Sequence, residues 1–241
     1  MTQVCVIFGA GEYYAGTPVV PTGAYVIAAD GGLDHTRELG IVPDVVVGDF
    51  DSLEGRPPRT DVRTIALPAL KDDPDMLSAL KVGWSAGYRE FHVYGGLGGR
   101  IDHTISGIQL MALLARHGAS GYLYGDGLIV TAITDGRLSF PAHPVPEDGR
   151  TVSAFSHSDV SLGVNEPGLK YELKDGTLTN TVVQGVSNEF RDGVDAAISV
   201  KRGTLIVTFP IEVALPQVSR FHEFGGDIGE LDTEVSKLLV R

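Results

Sequence analysis

The chain has 241 residues, of which 43% are hydrophobic and 21% charged, enough to bury one large core or two modest ones. Lys and Arg number 19 against 31 Asp and Glu, which gives a formal net charge of −12. This acidic balance excludes a broad electrostatic surface for nucleic acid, although a metal ion or a few basic groups would still bind phosphate locally. We therefore expect no nucleic-acid partner.

The sequence also limits redox chemistry and location. Its one cysteine, Cys5, lies in the apolar run VCVIF and cannot form an internal disulfide, so we predict a buried core position. The first residues lack the basic and apolar pattern of a leader, and no apolar run reaches the roughly 18 residues of a membrane span. A cytoplasmic protein with no membrane partner is expected.

Short apolar runs alternate with helical patterns through the first half of the chain. Such alternation predicts an α/β domain with a parallel sheet covered on both faces. The predicted strands lie in QVCVIFGAG (3–11), AYVIAADGG (24–32), VPDVVVGDFDS (42–52) and EFHVYGGLGG (90–99), followed by SGYLYGDG and IVTAIT (120–127 and 129–134). The predicted helices lie in LDHTRELG (33–40), DPDMLSALKVGWSAG (73–87) and DHTISGIQLMALLARHG (102–118).

The second half has a different texture. Short alternating runs separated by Asp-Gly and Arg-Gly pairs, as in AAISVKRGTLIVTFP, predict antiparallel hairpins. We therefore divide the chain into an α/β domain at 1–136, an all-β domain at 137–210, and an extension at 211–241 of unknown role. A short helix is predicted near the C-terminal end.

Asp49 and Asp51 come directly after three valines and Gly48, which is the carboxyl end of a predicted buried strand. If both residues continue the strand, their side chains share a face and their Cα atoms lie roughly 6.5 Å apart. Two such carboxylates repel unless a cation lies beside them, and Mg²⁺ prefers oxygen ligands. The alternative is a turn in which the side chains bond the local backbone.

The segment KDDPDM, residues 71–76, adds three more carboxylates. Asp73 before Pro74 has the pattern of an N-cap with proline at the first helical position, which puts Asp75 in the first turn. The pattern leaves Asp72 unexplained. Lys71 is either a solvated surface residue or a point charge for a phosphate.

The segment GGLGGRIDHT, residues 95–104, is a glycine-rich turn before a helix. Glycines allow a ligand close to the backbone, and Arg100 and His103 offer donors to phosphate oxygens. His103 is equally compatible with a simple helix-start residue. The dinucleotide fingerprint is not matched after the first strand, and the nucleophile elbow, zinc and Walker motifs are absent from the sequence. Metal-bridged phosphoryl or pyrophosphoryl transfer fits what remains.

Taken in order, six segments resemble the thiamine pyrophosphokinase family. They are AADGG (28–32), PDVVVGDFDS (43–52), KDDPD (71–75), GGLGGRIDH (95–103), GLKYEL (168–173) and GVSNEF (185–190). The resemblance implies transfer of a pyrophosphoryl group from ATP to the thiamine hydroxyl, giving thiamine diphosphate and AMP. It also implies that residues 1–136 form an α/β catalytic domain that binds nucleotide and metal, and that residues 137–210 form a β-sandwich domain that binds thiamine. The implied assembly is a homodimer whose active site lies at the subunit interface.

The resemblance assigns roles to individual residues. Mg²⁺ on the ATP phosphates would be held by Asp49, Asp51 and Asp72, and the thiamine hydroxyl would be oriented or deprotonated by Asp72 and Asp75. These four aspartates are the predicted catalytic residues. The predicted ATP-binding residues are Asp30, Lys71, Gly98, Arg100, Asp102 and His103, and the predicted thiamine-binding residues are Ser187 and Asn188.

Two positions depart from the family pattern. Pro74 stands where the family usually has threonine, and Gly107 stands where it tends to have asparagine, four residues after the histidine. Glycine inside a helix costs about 1 kcal/mol relative to alanine. Two other functions remain open. The acid clusters and the Asp102-His103 pair would also suit a metal-dependent hydrolase of nucleotides or pyrophosphates, with water as nucleophile. Pro74 and Gly107 leave open a non-catalytic protein that binds thiamine or nucleotide.

Overall fold

The structure is a computed structural model that describes residues 3–14, 18–50, 60–146 and 150–235. The chain divides into two compact units. The first contains Met1–Gly107, Leu123–Asp126 and Asp227–Arg241, and the second contains Ile108–Tyr122 and Gly127–Gly226. The mixed α/β character predicted from the sequence is confirmed.

The first unit is built on a sheet whose strands run in parallel. Its strands are β1 (Val4–Phe8), β2 (Tyr25–Ala29), β3 (Val45–Gly48), β4 (Arg63–Ala66) and β5 (Glu90–Tyr94), with the end of β6 (Ser120–Gly125) beside β5. The order is β6-β5-β1-β2-β3-β4, and β1 pairs in parallel with both β2 and β5. The carboxyl ends of β1, β2, β3 and β5 therefore meet at one edge, as the sequence predicts.

The helices are α1 (Gly32–Glu38), α2 (Asp75–Ser85) and α3 (Ile101–Arg116). The first two lie in the first unit, together with the part of α3 up to Gly107. Gly83 lets α2 approach the sheet closely, because a Cβ there would lie 2.8 Å from the Phe91 ring and 2.9 Å from Cys5 Sγ. Cys5 is fully buried, as predicted, and burial raises the pKa of its thiol well above the ordinary value.

The second unit is mainly antiparallel. Its strands are β7 (Leu128–Phe140), β8 (Thr151–Ser156), β9 (Val160–Val164), β10 (Gly176–Thr179), β11 (Asn188–Glu189), β12 (Ala196–Pro210) and β13 (Gln217–Arg220). Long strand β12 pairs antiparallel with β7, and shorter strands extend or flank this pair. Strand β7 is continuous across residue 136, the predicted end of the α/β domain, and the domain boundaries themselves stay a prediction.

The structure corrects one strand prediction. The Arg202-Gly203 pair was predicted to be a hairpin turn, but it lies inside β12, where pairing with β7 shifts register between Val200 and Thr204. Gly203 has a φ of 119°, which suits a bulge within a continuous strand. The predicted turn is wrong because glycine is common both in hairpin turns and in β-bulges, so the sequence does not distinguish the two.

The start of α2 also differs from the sequence prediction. The N-cap is Pro74, with extended backbone and no side-chain cap, so the helix begins at Asp75. Asp73 does not cap it, because its carboxylate contacts the ammonium group of Lys81 instead. In the described part of the extension, residues 227–235 form no helix, and the predicted C-terminal helix otherwise lies outside the described residues. Among the described residues, no helix is long and apolar enough to cross a bilayer.

Candidate active site

A cavity of about 610 Å³ lies at the carboxyl ends of the parallel strands in the first unit. It is lined by residues at the carboxyl ends of β1, β2 and β5, by His35 of α1, and by the N-terminal parts of α2 and α3. Its charged lining residues are Glu12, Asp30, Asp75 and Arg100, and His35 and His103 add two imidazoles. The remaining lining residues are Gly9, Ala10, Gly11, Ala29, Pro74, Met76, Gly95, Gly96, Gly98, Gly99, Ser106 and Gly107.

Glycine contacts between two strand ends form one wall. The Gly9 amide donates to the Tyr94 carbonyl at 2.8 Å, and the Gly11 amide donates to the Gly95 carbonyl at 3.0 Å. A Cβ on Gly11 would lie 2.4 Å from that same carbonyl oxygen, so a side chain cannot fit without moving the backbone. The loops after β1 and β5 are therefore held together by their backbones, which leaves the space beside them open to a ligand.

The second half of the β5 loop turns through Gly98 and Gly99. Both have positive φ, 82° and 62°, which glycine adopts without steric cost. A Cβ on Gly98 would overlap the Tyr14 hydroxyl, and the Gly98 amide donates to Thr104 Oγ at 3.1 Å. The turn before α3 is thus fixed by a tyrosine from the β1 loop and a threonine from the helix.

Asp30 follows β2 and is 6% exposed, with a positive φ of 48°. Its amide donates to the Val47 carbonyl at 2.8 Å, which joins it to the end of β3. A Cβ on Gly48 would lie 3.0 Å from Asp30 Cα. Glycine is therefore required after the valines because the backbone at the end of β2 lies close beside it. Asp49 is the next residue in the chain.

Lys71 links two of the predicted catalytic aspartates. Its Nζ lies 2.9 Å from Asp75 Oδ1 and 3.4 Å from Asp49 Oδ2. The side chain of Lys71 is 5% exposed, against 12% for Asp49 and 31% for Asp75. Burial lowers the pKa of Lys71, but the two carboxylates outweigh burial and the net direction is upward, so the lysine is charged.

Arg100 and Asp102 form an exposed ion pair at the start of α3. Arg100 Nη2 donates to Asp102 Oδ2 at 2.6 Å, and the His103 amide donates to Asp102 Oδ1 at 3.0 Å. The hydrogen bond from Arg100 is the largest influence on Asp102 and lowers the pKa of its carboxyl to about 2. Arg100 and His103 line the cavity, whereas Asp102 holds Arg100 from outside the lining.

The acidic residues of this region have the chemistry of Mg²⁺ ligands. Their carboxylate oxygens are the ligand type that this ion prefers, and Asp49 and Asp75 already approach a single cationic nitrogen. Within the described ranges no three His, Cys, Asp or Glu residues are grouped closely enough to hold a metal alone. Asp51, the third predicted ligand, lies outside them. Because Mg²⁺ commonly takes one or two carboxylates plus substrate phosphates, the residues present fit the ion.

The predicted thiamine residues lie in the second unit and have different surroundings. Asn188 is buried, and its amide nitrogen donates to Glu166 Oε2 at 2.9 Å and to the Tyr171 carbonyl at 2.8 Å. Its amide oxygen accepts from the amides of Tyr171 and Glu189. Ser187 is exposed, with a φ of 57°. A thiamine contact from this segment would therefore come from Ser187 or the backbone rather than from the Asn188 amide.

Of the predicted residues, the structure brings Asp30, Asp75, Gly98, Arg100 and His103 to the cavity, with Asp49 joined to Asp75 through Lys71. Asp72 is exposed and is not part of the lining.

Sequence reasoning missed several lining residues, including Glu12 and His35. His35 stacks on Tyr13 with ring centroids 3.9 Å apart. The Gly9–Glu12 loop carried a usable signal, since it follows a predicted strand like the other clusters. His35 carried none.

Comparison with known proteins agrees with this picture. Residues 19–123 match the family described as thiamin pyrophosphokinase, catalytic domain. No curated protein sequence matched the chain. Among solved structures, thiamine pyrophosphokinase from Bacillus subtilis superposes with a TM-score of 0.75 at 22% identity, covering 88% of this chain and 100% of that one. Thiamin pyrophosphokinase from Candida albicans gives 0.68 at 13% identity, covering 88% and 90%.

The matched range contains every predicted metal and ATP residue and excludes Ser187 and Asn188. At these identities the structural likeness establishes the fold. The resemblance inferred from the sequence motifs is therefore confirmed, and residues 19–123 match the catalytic domain of the thiamine pyrophosphokinase family.

Proposed function

We propose that this protein transfers the pyrophosphoryl group of ATP to the hydroxyl of thiamine, giving thiamine diphosphate and AMP, with Mg²⁺ as cofactor. The observation that carries the proposal is the cavity at the strand ends. Asp30 and Asp75 supply negative charge there, while Arg100 and His103 supply donors suited to phosphate oxygens. A triphosphate would be repelled by the acids unless a cation accompanied it, so this mixed lining supports a metal–nucleotide substrate.

In the proposed reaction one bond to phosphorus forms, one breaks, and one proton is taken up by an aspartate. The thiamine hydroxyl oxygen forms a bond to the β-phosphorus of ATP, and the bond from that phosphorus to the α–β bridging oxygen breaks. AMP leaves with the electron pair, and Asp75, with Asp72 as the second candidate, receives the hydroxyl proton. Asp75 is suited to this role because it lines the cavity at the start of α2.

The other residues bind and orient the substrates. Asp49, Asp51 and Asp72 would hold Mg²⁺, which when bound neutralises phosphate charge. The proposed ATP site consists of Asp30, Gly98, Arg100, Asp102 and His103. Lys71, the other residue predicted for this site, contacts Asp49 and Asp75 instead. The proposed thiamine site is formed by Ser187 and the backbone of the segment that the buried Asn188 side chain fixes. The β-sandwich arrangement of the second domain, the homodimer with its shared active site and the cytoplasmic location belong to the same proposal.

The proposal is tested by incubating the protein with ATP, Mg²⁺ and thiamine and identifying both products. Equal amounts of AMP and thiamine diphosphate are expected. ADP with thiamine monophosphate would overturn pyrophosphoryl transfer. Consumption of ATP in the absence of thiamine would instead identify a hydrolase, and thermal stabilisation by thiamine without turnover would identify a binding protein.

A further inference from the structure

Lys71 differs from the other basic groups of the site in its accessibility. Its side chain is 5% exposed and its ammonium lies within 3.4 Å of carboxylates from two elements, the end of β3 and the start of α2. Arg100, by contrast, is 74% exposed and lines the cavity. A phosphate could reach Arg100 from the cavity, but it would reach Lys71 only by displacing an aspartate.

The position of Lys71 also has an electrostatic consequence. Asp49 and Asp75 carry two negative charges close to one another, and they would repel without a cation between them. With the ammonium group between them, the net charge of the three groups is −1 instead of the −2 of the two carboxylates alone. The ammonium group also ties both carboxylates to one atom, which fixes the direction of Asp75 relative to Asp49.

We propose that Lys71 is a positioning residue that holds the carboxylates of Asp49 and Asp75 at a fixed separation and reduced charge, rather than a ligand of the ATP phosphates. The expected effect of Lys71 on turnover rests on the proposed function. The expected effect of Lys71 on cation binding does not depend on turnover. Removal of the ammonium leaves more negative charge at the same place, so a divalent cation binds more tightly while the reaction slows.

The test compares wild type with Lys71→Met and Lys71→Arg. Binding of Mn²⁺ alone, without nucleotide, is measured by electron paramagnetic resonance, and kcat and KM are measured with ATP, Mg²⁺ and thiamine. For Lys71→Met we expect Mn²⁺ affinity to rise at least threefold, kcat to fall at least tenfold, and KM for ATP to stay within twofold. Lys71→Arg keeps the charge, so its Mn²⁺ affinity should remain near that of wild type.

Lys81→Met is the matched control, because Lys81 is a buried lysine whose ammonium contacts the neighbouring Asp73. Its Mn²⁺ affinity should equal that of wild type. Thermal unfolding identifies any variant that does not fold, and Lys71→Gln, which keeps a donor but not the charge, then replaces Lys71→Met.

Two results would overturn the inference. A tenfold rise in KM for ATP with unchanged kcat would make Lys71 a phosphate ligand, and unchanged Mn²⁺ affinity in Lys71→Met would remove the charge argument. Failure of the proposed function appears separately, as wild-type protein that makes no thiamine diphosphate.

Discussion

The cavity of the first unit and the cluster around Asn188 in the second unit both contain polar side chains, but the two sets differ in burial and in hydrogen bonding. At the cavity, Asp30, Asp75 and Arg100 lie on the wall of an open space. Around Asn188, the amide and its partner Glu166 are buried and bonded to one another and to backbone. The first arrangement leaves polar groups facing a ligand, whereas the second uses them to fix a chain segment.

This difference distinguishes polar motif residues that can bind a ligand from those that stabilise the fold. Both GGLGGRIDH and GVSNEF contain motif residues of the family, and sequence alone gave both a binding role. Burial and hydrogen bonding now predict different outcomes when each is altered. Changes at the cavity should reduce activity with little loss of stability, and changes at Asn188 should do the opposite.

The largest effect is expected for Asp75→Asn. Asparagine can still accept a hydrogen bond from Lys71 but is not a base, so kcat for thiamine diphosphate formation should fall about 10³-fold, within the range for general-base catalysis. The thermal midpoint should remain near the wild-type value. Asp34→Asn on α1 is the control, since Asp34 does not line the cavity. Near-normal turnover of Asp75→Asn would remove Asp75 from the proposed mechanism.

Asn188→Ala should mainly destabilise the fold. It removes four hydrogen bonds and leaves the buried carboxylate of Glu166 and the backbone amide of Tyr171 without these partners. We expect the free energy of unfolding to fall by about 3 kcal/mol, measured by urea denaturation. Asn180→Ala, at an exposed asparagine of the same unit, provides the control. Unchanged stability together with lost thiamine affinity would show that Asn188 belongs to the binding surface after all.

Arg100→Met tests the nucleotide end of the cavity. Loss of one charge-assisted contact to phosphate should raise KM for ATP about tenfold and leave KM for thiamine unchanged. Stability should not change, because the pair with Asp102 is exposed. Arg191→Met, at an exposed arginine of the second unit, is the control. Equal rises in both KM values would place Arg100 outside the ATP site.

Gly107→Asn restores the residue that the family tends to have at this position. A Cβ there would lie 3.0 Å from the Gly96 carbonyl oxygen and 3.0 Å from Leu123 Cδ2, so the larger side chain must displace the cavity wall. We expect a loss of about 1 kcal/mol in the free energy of unfolding and no gain in kcat. Increased activity at full stability would mean that the glycine is a defect of the site rather than an adaptation of its packing.

The smallest effect is a pH dependence that arises from Glu166. Burial raises the pKa of its carboxyl above the ordinary 4.5, and the hydrogen bond from Asn188 acts against this increase. The folded state therefore binds the proton more tightly than the unfolded state, so this group's contribution to stability falls as pH rises from 4.5 through the raised pKa. Glu166→Gln cannot titrate, and its thermal midpoint relative to wild type should rise over that interval. A constant difference from pH 4 to pH 8 would contradict the account.

Local sequence patterns were sufficient to predict β1, β2, β3 and β5 of the first unit, but β4, a short and largely exposed strand, was not predicted. Runs such as VCVIF and VVVG are apolar throughout and end in glycine or aspartate, which predicts buried parallel strands with ligand residues at their ends. The position of Asp30, Asp75 and Arg100 at one cavity follows from that rule.

Features that depend on distant partners could not be predicted in this way. The contact of Asp73 with Lys81 removes an apparent N-cap, and the bond from Gly11 to Gly95 joins loops 84 positions apart. The bulge at Gly203 depends on continued pairing with β7. Local sequence reports propensity, but tertiary contacts decide between a cap and an ion pair, or between a turn and a bulge.

The most direct measurement of the central claim uses ATP labelled at the β-phosphorus, incubated with Mg²⁺ and thiamine and either wild type or Asp75→Asn. The account predicts that wild type places the label in thiamine diphosphate, on the phosphorus bonded to thiamine, with unlabelled AMP as co-product, and that Asp75→Asn does so about 10³-fold more slowly. Label that remains in ADP or free pyrophosphate, or equal rates for the two proteins, would contradict pyrophosphoryl transfer at this cavity.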